Sequence, residues 1–366
     1  MGKDVNRRLT DLKSRRRGSS STIAMDSITA NSILFSEKFE TRSGGQWAKY
    51  ALGIMQEVDP TYTRNSVAEG ERVKSQITNR ISTEVKFEYQ GSVPLNVHIR
   101  GVSDIDILVL LSRYLTIDVT GARANTADYT SWVGQSGIAQ LAFLRGELES
   151  ALKAAYPAAD VDVTKDKAIA LSGGSLSRKV DVVPSHWHDS SAYQISRNKK
   201  DREVKIYQKI TGDTLLNRPF LHIDKINQKE AATRGGAKKI IRMLKNLKAD
   251  SDNPSMILVN SYEIAGLVFH FEEAQLSVPA YNELALVAVA KQQLTRIIDN
   301  KLWAMGLMTP DGIRRIIDSE DKFKSLKLLR DEVSELGKNL VMELTPRYWT
   351  DDLDTLKALR ESYIAE

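Results

Sequence analysis

The chain has 366 residues, of which 42% are hydrophobic and 27% are charged, so it is long enough for one large or two ordinary domains. It contains no cysteine, which excludes disulfides and thiolate metal sites. Its apolar runs are too short to span a bilayer, and its first residues lack an apolar export signal. These features predict a cytoplasmic protein that does not enter a membrane.

The net charge of +5 is concentrated at the start of the chain. Residues 1–17 carry seven Lys or Arg and two Asp, so the remaining residues are balanced at 45 basic against 45 acidic. Gly, Ser and Thr follow at residues 18–22, and we expect residues 1–22 to form a flexible basic tail. The balanced body argues against a long nucleic-acid substrate, so any phosphate chemistry must come from a local site.

Hydrophobic periodicity predicts helices over residues 23–60 and a long amphipathic helix over 66–82. Strand patterns follow, with one helix at 138–156 among them; the strands are predicted at 84–90, 104–111, 160–164, 168–172, 178–183 and 204–209. Helical patterns then dominate, at 230–249, 255–275, 281–306, 310–317, 320–343 and 351–364. The sequence therefore predicts an α+β fold, with a mixed-sheet core over residues 23–228 and an α-helical lobe over residues 229–366.

Two aspartates lie in the strand predicted at 104–111, whose other residues are apolar. Asp104 and Asp106 are two positions apart, so on a strand both carboxylates point to one face. Two like charges roughly 7 Å apart, at an effective dielectric near 20, repel by about 2–3 kcal/mol, and a bound cation would reverse that sign. A third isolated acid, Asp181, lies in another predicted strand. The three carboxylates predict an oxygen-only site for two Mg²⁺ ions, with Mn²⁺ as a substitute.

Two metals held in this way can stabilise the attacking and leaving oxygens of an in-line phosphoryl transfer. We expect Asp104 and Asp106 to bridge the metals, and Asp181 to hold the metal under the attacking hydroxyl and help to remove its proton. Gly91-Ser92, after a strand and before a predicted short helix, suits phosphate binding because glycine lets the backbone approach the anion closely. This turn disfavours the simpler interpretation of three acids at strand edges that only face solvent.

A second group of candidate residues lies in the first helices of the C-terminal lobe. Lys238, Arg242 and Lys245 follow i, i+4, i+7 and form one stripe, roughly 200° from an apolar stripe. This pattern fits either a solvated basic face or a cation that reaches a triphosphate. At the start of the next helical stretch, Ser261-Tyr262 is predicted to supply a phosphate donor or a ring that stacks on a base.

The five histidines are less informative. His186 and His188 follow Asp181, but two histidines at i, i+2 without a cysteine or a third nearby ligand do not predict a metal pair. We expect the other three, His98, His222 and His270, to be structural.

The order Gly-Ser, Asp-x-Asp and a later Asp resembles the polymerase-β-like nucleotidyltransferase superfamily. Within it, residues 66–271 resemble the bacterial cGAS/DncV-like nucleotidyltransferases: GSVPLNVHIRGVSDIDILVLL follows their Gly-Ser, short helix and acidic strand, and RKVDVVP supplies the third acid. IIRMLKNLK and NSYEIAGLVFH resemble the family's helix pair, in which a lysine and then a serine contact the triphosphate; this implies Lys245 and Ser261. The threonine that often follows Gly-Ser in the family is replaced here by Val97.

The resemblance implies a polymerase-β-like mixed sheet with a C-terminal helical lobe and an active site in the cleft between them. It implies Mg²⁺ as the cofactor and nucleoside triphosphates as donor and acceptor: ATP or GTP, with UTP or CTP as alternatives. The implied product is a cyclic di- or trinucleotide, a second messenger of anti-phage (CBASS-type) signalling. An effector protein would read that product, and a regulatory partner is a further expectation.

Two other functions stay open from the sequence. A nucleotidyltransferase that extends an RNA 3′ end or modifies a small molecule would use the same carboxylates, although the balanced charge disfavours RNA. The chain also lacks an E-D-x-x-R element of the kind found in enzymes that add to tRNA ends. The second alternative is a non-catalytic nucleotide-binding sensor, which would have no need for all three carboxylates.

Overall fold

The structure is a computed structural model that describes four parts of the chain: residues 4–17, 38–129, 134–345 and 352–364. These residues form two compact units. The sheet unit comprises Asp59–Asn96 and Ser103–Lys225, and the helical unit comprises the other described residues. Within the described residues, no helix is both long enough and apolar enough to cross a membrane.

Helices occur along the whole described chain. They are α1 (Val5–Arg17), α2 (Lys38–Thr41), α3 (Gln46–Met55), α4 (Pro60–Thr78), α5 (Gly137–Ala155), α6 (Ser191–Ser196), α7 (Pro219–Ala232), α8 (Gly236–Asp250), α9 (Ser261–Phe269), α10 (Glu273–Leu276), α11 (Ala285–Asp299), α12 (Lys301–Gly306), α13 (Glu320–Leu344) and α14 (Asp352–Glu361). Short 3₁₀ turns lie at Lys199–Asp201, Pro254–Met256 and Ala280–Asn282. Helices α4, α5 and α6 belong to the sheet unit, and the chain passes into the helical unit within α7.

The described part of the sheet unit has seven strands in one mixed sheet. They are β1 (Val85–Gln90), β2 (Ile105–Ile117), β3 (Asp160–Asp162), β4 (Ile169–Ser172), β5 (Val180–Asp189), β6 (Glu203–Gln208) and β7 (Asp213–Asn217). The order is β1-β2-β5-β4-β3, with β6 paired to β5 and β7 to β6. Only β2 and β5 run parallel among these pairs, and the others are antiparallel. The predicted mixed sheet is therefore confirmed.

The centre of β2 is apolar on both faces, as expected for a strand that is covered on both sides. Ile105, Ile107 and Val109 belong to the larger core cluster, which α4 and α5 complete. Leu108 and Leu110 point the other way, into a smaller cluster with residues of β5 and β6. Because side chains alternate along a strand, the even-numbered residues at the centre of β2 lie on the same face as the smaller cluster.

Most elements agree with the predictions to within a few residues, although β7 was not predicted and two predicted helices differ for local reasons. The predicted helix at 310–317 is wrong, because this segment forms turns and one β-bridge, between Met308 and Arg315. The predicted helix at 230–249 is two helices, α7 and α8, since Arg234 and Gly235 both have a positive φ (49° and 93°). Left-handed residues interrupt a right-handed helix.

The prediction of a flexible basic tail is wrong for residues 5–17, which form α1. Leu9 and Leu12 are buried in the helical unit, with exposures of 5% and 2%. The Arg8 guanidinium donates to the Glu332 carboxylate at 2.8 Å, and Arg15 Nη2 donates to Asp250 Oδ2 at 2.9 Å. Arg8 and Arg15 are therefore paired with acids from distant parts of the sequence, while residues 18–22 lie outside the described residues.

The predicted domain boundary at residue 23 is also different in the structure. Described residues up to Val58 belong to the helical unit, as do residues Val97–Val102. The reason is packing between α3 and α8: Asn246 Nδ2 donates to the Ile54 carbonyl at 3.0 Å, and Arg242 Nε donates to the Met55 carbonyl at 2.7 Å. Because these contacts join segments nearly 200 residues apart, the chain order does not reveal them.

Candidate active site

The three predicted carboxylates lie where the two parallel strands begin. Asp106 on β2 is the register partner of Asp181 on β5, and Asp104 precedes Asp106 by two residues. The Ile105 N–H donates to the Lys179 carbonyl at 3.1 Å, which aligns the two strand starts. Because register partners share a face, strand geometry directs Asp106 and Asp181 to one side of the sheet. Asp104 directly precedes β2 and is close enough for its charge to act on Asp181.

This side of the sheet is also the side of the smaller apolar cluster. Leu108 follows Asp106 along β2, and Val183 follows Asp181 along β5, each two residues later. All three acids are half-buried, and the side chain of Asp181 is 20% exposed. They therefore occupy the first positions of an otherwise apolar face, not its fully buried middle as the apolar run around them suggested.

The surroundings of Asp104 and Asp181 disfavour the negative charge of their carboxylates. Burial is the main cause that raises the pKa of Asp104 above its ordinary value, and the charges of Lys179 and Lys165 partly oppose it. Burial also raises the pKa of Asp181, where Lys165 opposes the rise and the charge of Asp104 adds to it. A raised carboxyl pKa means that the ionised form is held at a cost, which a bound cation would reduce.

Gly91 ends β1 beside Asp106 and gives that carboxylate its space. Its φ is +79°, a left-handed conformation that favours glycine. A methyl group at this position would collide with Oδ2 of Asp106. Glycine is therefore required here twice, once by the backbone conformation and once by the close approach of a candidate metal ligand.

The short helix predicted after Gly91-Ser92 is wrong, because residues 91–96 form consecutive turns. The Asn96 N–H donates to the Val93 carbonyl at 3.0 Å, and Asn96 itself has a φ of +55°. A residue in this left-handed conformation does not continue a right-handed helix. Ser92 thus lies half-buried in a turn, without a helix N-terminus to bind an anion.

The predicted basic stripe of α8 is not a solvated face. Lys245 is 4% exposed, and its Nζ donates to the Val97 carbonyl at 2.7 Å. Arg242 is 2% exposed and lies 3.7 Å from Glu57, in addition to its bond to the Met55 carbonyl. Lys238 is half-buried, and burial lowers its pKa. The three cations of the stripe therefore have different surroundings.

The predicted Ser261-Tyr262 pair begins α9. Asn260 caps this helix by accepting from the N–H groups of Tyr262 and Glu263, and Ser261 is exposed in its first turn. The Tyr262 hydroxyl donates to Asp311 Oδ2 at 2.7 Å, and the Arg314 guanidinium lies 5.1 Å from the centre of the tyrosine ring. Burial, followed by the Asp311 charge, raises the pKa of Tyr262 well above its usual range.

His186 and His188 both lie on β5, and a ring nitrogen of each is close to a neighbouring protein group. The Nδ1 of His186 lies 2.8 Å from the Trp187 carbonyl, and that of His188 lies 2.8 Å from Thr116 Oγ1. Burial lowers the pKa of each imidazole to about 4, so both rings are neutral at pH 7. Two strand positions separate the rings, so strand geometry directs them to the same face of the sheet, with Trp187 on the other. Neither belongs to a group of three or more potential metal ligands in the described residues.

Comparison with known proteins identifies the family of this chain. Residues 224–336 match the model of the "cGAS/DncV-like nucleotidyltransferase C-terminal helical domain". The chain is 36% identical over 371 aligned residues to a cyclic dinucleotide synthase, CdnE, of Yersinia aleksiciae, and the alignment covers 96% of this chain and 97% of that one. The chain belongs to the cGAS/DncV-like nucleotidyltransferase family.

Two further comparisons agree with this membership. A c-di-GMP synthase of Capnocytophaga granulosa is 33% identical over 310 residues, with 80% of this chain and 87% of that chain covered. The solved structure of a STING-associated CdnE c-di-GMP synthase from the same organism has a TM-score of 0.73 at 29% identity, covering 93% and 99% of the two chains. The fold is therefore that of the cGAS/DncV-like nucleotidyltransferases, as the sequence resemblance implied.

Membership of this family implies that the enzyme uses divalent metal ions. The chemistry of the three carboxylates suits such ions. Asp104, Asp106 and Asp181 offer only oxygen ligands, which Mg²⁺ prefers. Lys165 Nζ already lies 3.6 Å from Asp181 Oδ1, so this carboxylate attracts a cation in the structure itself. In the described ranges, no group of three or more His, Asp or Glu side chains is arranged as a finished metal site.

Sequence reasoning missed two lysines of this nucleotidyltransferase that act on the carboxylates. Lys179 directly precedes β5, and Lys165 lies in the loop between β3 and β4. Each of these positive charges offsets part of the rise in pKa that burial causes in Asp104 and Asp181. The sequence places both lysines next to predicted short strands. A lysine at the end of one strand can lie beside an acid at the start of a neighbouring strand, and this could have identified them.

Proposed function

We propose that this nucleotidyltransferase joins two nucleoside triphosphates into a cyclic dinucleotide. Support comes from the similarity of almost the whole chain to the cyclic dinucleotide synthase of Yersinia aleksiciae. The structural observation that carries the proposal is the register pairing of Asp106 with Asp181, two acids at the start of parallel strands. Because the Capnocytophaga granulosa relative is a c-di-GMP synthase, GTP is the first substrate to test.

In this proposal Asp104, Asp106 and Asp181 hold two Mg²⁺ ions, which Mn²⁺ can replace. When bound, such ions stabilise negative charge on the attacking and leaving oxygens. Asp181 is also proposed to accept the proton of the ribose hydroxyl as that oxygen attacks an α-phosphorus. Each attack breaks one phosphoanhydride bond and releases pyrophosphate, so a cyclic dinucleotide forms with two pyrophosphates.

Gly91 and Ser92 have separate roles in this proposal. Gly91 leaves room for the Asp106 carboxylate, and the Ser92 hydroxyl is a donor for a phosphate oxygen of the bound triphosphate. Ser261 is a second proposed donor, because it is exposed in the first turn of α9. Tyr262 would position this turn through its bond to Asp311.

Lys245 is the proposed lysine contact to the triphosphate, which requires it to exchange its bond to the Val97 carbonyl for a phosphate oxygen. Lys238 is the alternative on the same helix, since it is more exposed. For Arg242 we propose a supporting role, because its guanidinium holds the end of α3 through the Met55 carbonyl.

The proposed product is a signal for a second protein. The Capnocytophaga granulosa structure is described as STING-associated, and we propose an effector of that type as the receiver here, in anti-phage signalling. A regulatory partner that switches the enzyme on is part of the same proposal. Nucleoside triphosphates are cytoplasmic substrates, so the proposed reaction belongs in the cytoplasm.

The test is incubation of the full chain with Mg²⁺ and each nucleoside triphosphate alone and in pairs. Products are treated with phosphatase and identified by mass spectrometry. A phosphatase-resistant cyclic dinucleotide from GTP alone, or from GTP with ATP, is the expected result. Elongation of an added RNA, or nucleotide binding with no turnover under any condition, would contradict the proposal.

A further inference from the structure

Lys165 is a cation on a fixed loop beside the candidate metal ligands. Its Nζ lies 3.6 Å from Asp181 Oδ1, and its side chain is 47% exposed. The pairing is therefore made from the solvent side of the carboxylate, where the lysine side chain has room to leave. A half-exposed pair of this kind is weak, because water screens both charges.

The backbone of this loop is held firmly within the sheet unit. Arg145, which is 2% exposed, donates through Nη2 to the carbonyls of Val163 and Lys165, both at 3.1 Å. On the other side of the loop, Asp166 accepts from the Ile210 N–H at 2.9 Å through its side chain. Since the backbone is fixed on both sides of Lys165, only the side chain is free to change its partner.

A divalent cation and the Lys165 ammonium compete for the same carboxylate. Metal binding to Asp181 uses the oxygen lone pairs that face the ammonium, and the two positive charges repel each other at this separation. The charge of Lys165 also lowers the pKa of Asp104, so the lysine acts on more than one of the candidate ligands. Removal of the Lys165 charge should therefore change the metal affinity of the protein.

We propose that Lys165 is a positioning residue that serves as an exchangeable counter-ion: it pairs with Asp181 when no metal is bound and releases the carboxylate when a divalent cation arrives. The inference rests on the proposed function, because it takes Asp181 as a metal ligand. Its consequence is that the ammonium must leave Asp181 before a divalent cation can bind there, which lowers the metal affinity of the free enzyme.

The first test measures Mn²⁺ binding to the full chain without nucleotide, by electron paramagnetic resonance at fixed salt. Lys165→Met should bind Mn²⁺ about two- to five-fold more tightly than the wild type, the range expected for loss of one half-exposed charge pair. Lys165→Arg keeps the charge and should keep the wild-type affinity. Lys167→Met is the matched control, because it removes an exposed lysine from the same loop.

The second test measures the reactivity of the Lys165 amine towards an acetylating reagent, read by mass spectrometry. Mg²⁺ should increase the labelling of Lys165 and leave that of Lys167 unchanged. In Asp181→Asn, Lys165 should already be reactive without metal, and Mg²⁺ should add nothing further. A purely structural lysine would show no such metal dependence.

The outcomes separate the inference from the function on which it rests. If Mn²⁺ binding is the same in the wild type and in Asp181→Asn, the metal site of the proposed function fails. If binding depends on Asp181 while Lys165→Met matches Lys167→Met, and Mg²⁺ leaves Lys165 labelling unchanged, only the counter-ion role fails.

Discussion

The left-handed conformation of Gly91 brings the end of β1 against the Asp106 carboxylate. Two constraints favour glycine here: the positive φ of the backbone and the close approach of the Asp106 side chain. A sequence motif of Gly-Ser alone does not distinguish a phosphate-binding turn from a glycine that makes room for an acid. The structure favours the second role for Gly91.

Gly91→Ala should therefore reduce nucleotidyl transfer far more than it reduces stability. The left-handed conformation costs an alanine about 1–2 kcal/mol of unfolding free energy, while displacement of Asp106 by about 1 Å can cost on the order of 100-fold in rate. Gly212→Ala is the control, since Gly212 also has a positive φ of 64° but has open space around it. Equal activity loss in both variants, measured as pyrophosphate release beside urea denaturation, would contradict this role.

The half-buried Asp104 makes a prediction about stability and pH. Its pKa is raised in the folded state, so the folded protein binds the proton more tightly than the unfolded chain does. The contribution of this carboxyl group to stability is therefore complete below pH 3.8, the ordinary pKa of the group. It is lost as the pH rises through the higher pKa of the folded state.

Asp104→Asn removes that cost, so at pH 7 and without metal it should raise the melting temperature by about 1–4 °C. The gain should shrink towards pH 4, as the wild-type carboxyl becomes protonated. Thermal unfolding followed by circular dichroism across pH 4–8 measures both effects. A variant that is less stable than the wild type at pH 7 would contradict the assigned cause of the pKa shift.

At the scale of elements, α8 shows why a helical pattern of charges can mislead. The i, i+4, i+7 stripe predicts a common environment, yet Arg242 and Lys245 are buried and bond to carbonyls of Met55 and Val97. These carbonyls belong to segments about 150 or more residues earlier in the chain, and their positions follow from tertiary packing. Periodicity can identify the stripe but cannot identify its partners.

Two lysines of α8 allow a structural bond to be separated from a nucleotide contact. Lys245 and Lys248 each donate to a backbone carbonyl at 2.7 Å, of Val97 and Val259 respectively. Lys245→Met and Lys248→Met should each lower the unfolding free energy by about 1–3 kcal/mol, because a carbonyl loses its partner. Only Lys245→Met should also raise the KM for nucleoside triphosphate and lower kcat. Similar kinetics in the two variants would remove Lys245 from the triphosphate site.

Six of the seven described strands were predictable because their residues repeat locally, whereas β7 and α1 were not predicted. Alternation in β1 and the apolar run of β2 carry their own signal. In α1 the basic residues dominate the composition, and the acids that pair with Arg8 and Arg15, Glu332 and Asp250, are more than 200 residues away. The last half of β5 was missed for a related reason, since polar residues such as Ser185 and His186 are buried there and satisfied by backbone carbonyls.

At the scale of the whole molecule, the two units are interleaved in the sequence. The chain begins in the helical unit, enters the sheet unit at Asp59, returns for Val97–Val102 and leaves the sheet unit after Lys225. The segment Val97–Val102 connects the turn after Gly91 to the strand that carries Asp106. Val97, the position that departs from the family pattern, is 2% exposed and belongs to the helical unit.

The shared placement of the three aspartates is the part of the candidate site that the sequence could predict. Their spacing on predicted strands was enough to infer that they share one face, and the register of β2 and β5 brings Asp106 opposite Asp181. The proximity of Lys165 and Lys179 to these acids could not be predicted from the sequence. Lysines are common at strand ends, and the position of each ammonium group depends on the conformation of the loop. The acids follow from a local pattern, and their counter-charges follow from tertiary structure.

The most direct test of the carboxylate site is pyrophosphate release from GTP and Mg²⁺ by Asp104→Asn/Asp106→Asn. Asp160→Asn is the control, because it changes an exposed aspartate on the same sheet. We expect the double variant to stay folded, with release at background and no cyclic product, and the control to match the wild type. Near-normal release by a folded double variant would contradict the assignment of these aspartates to the reaction.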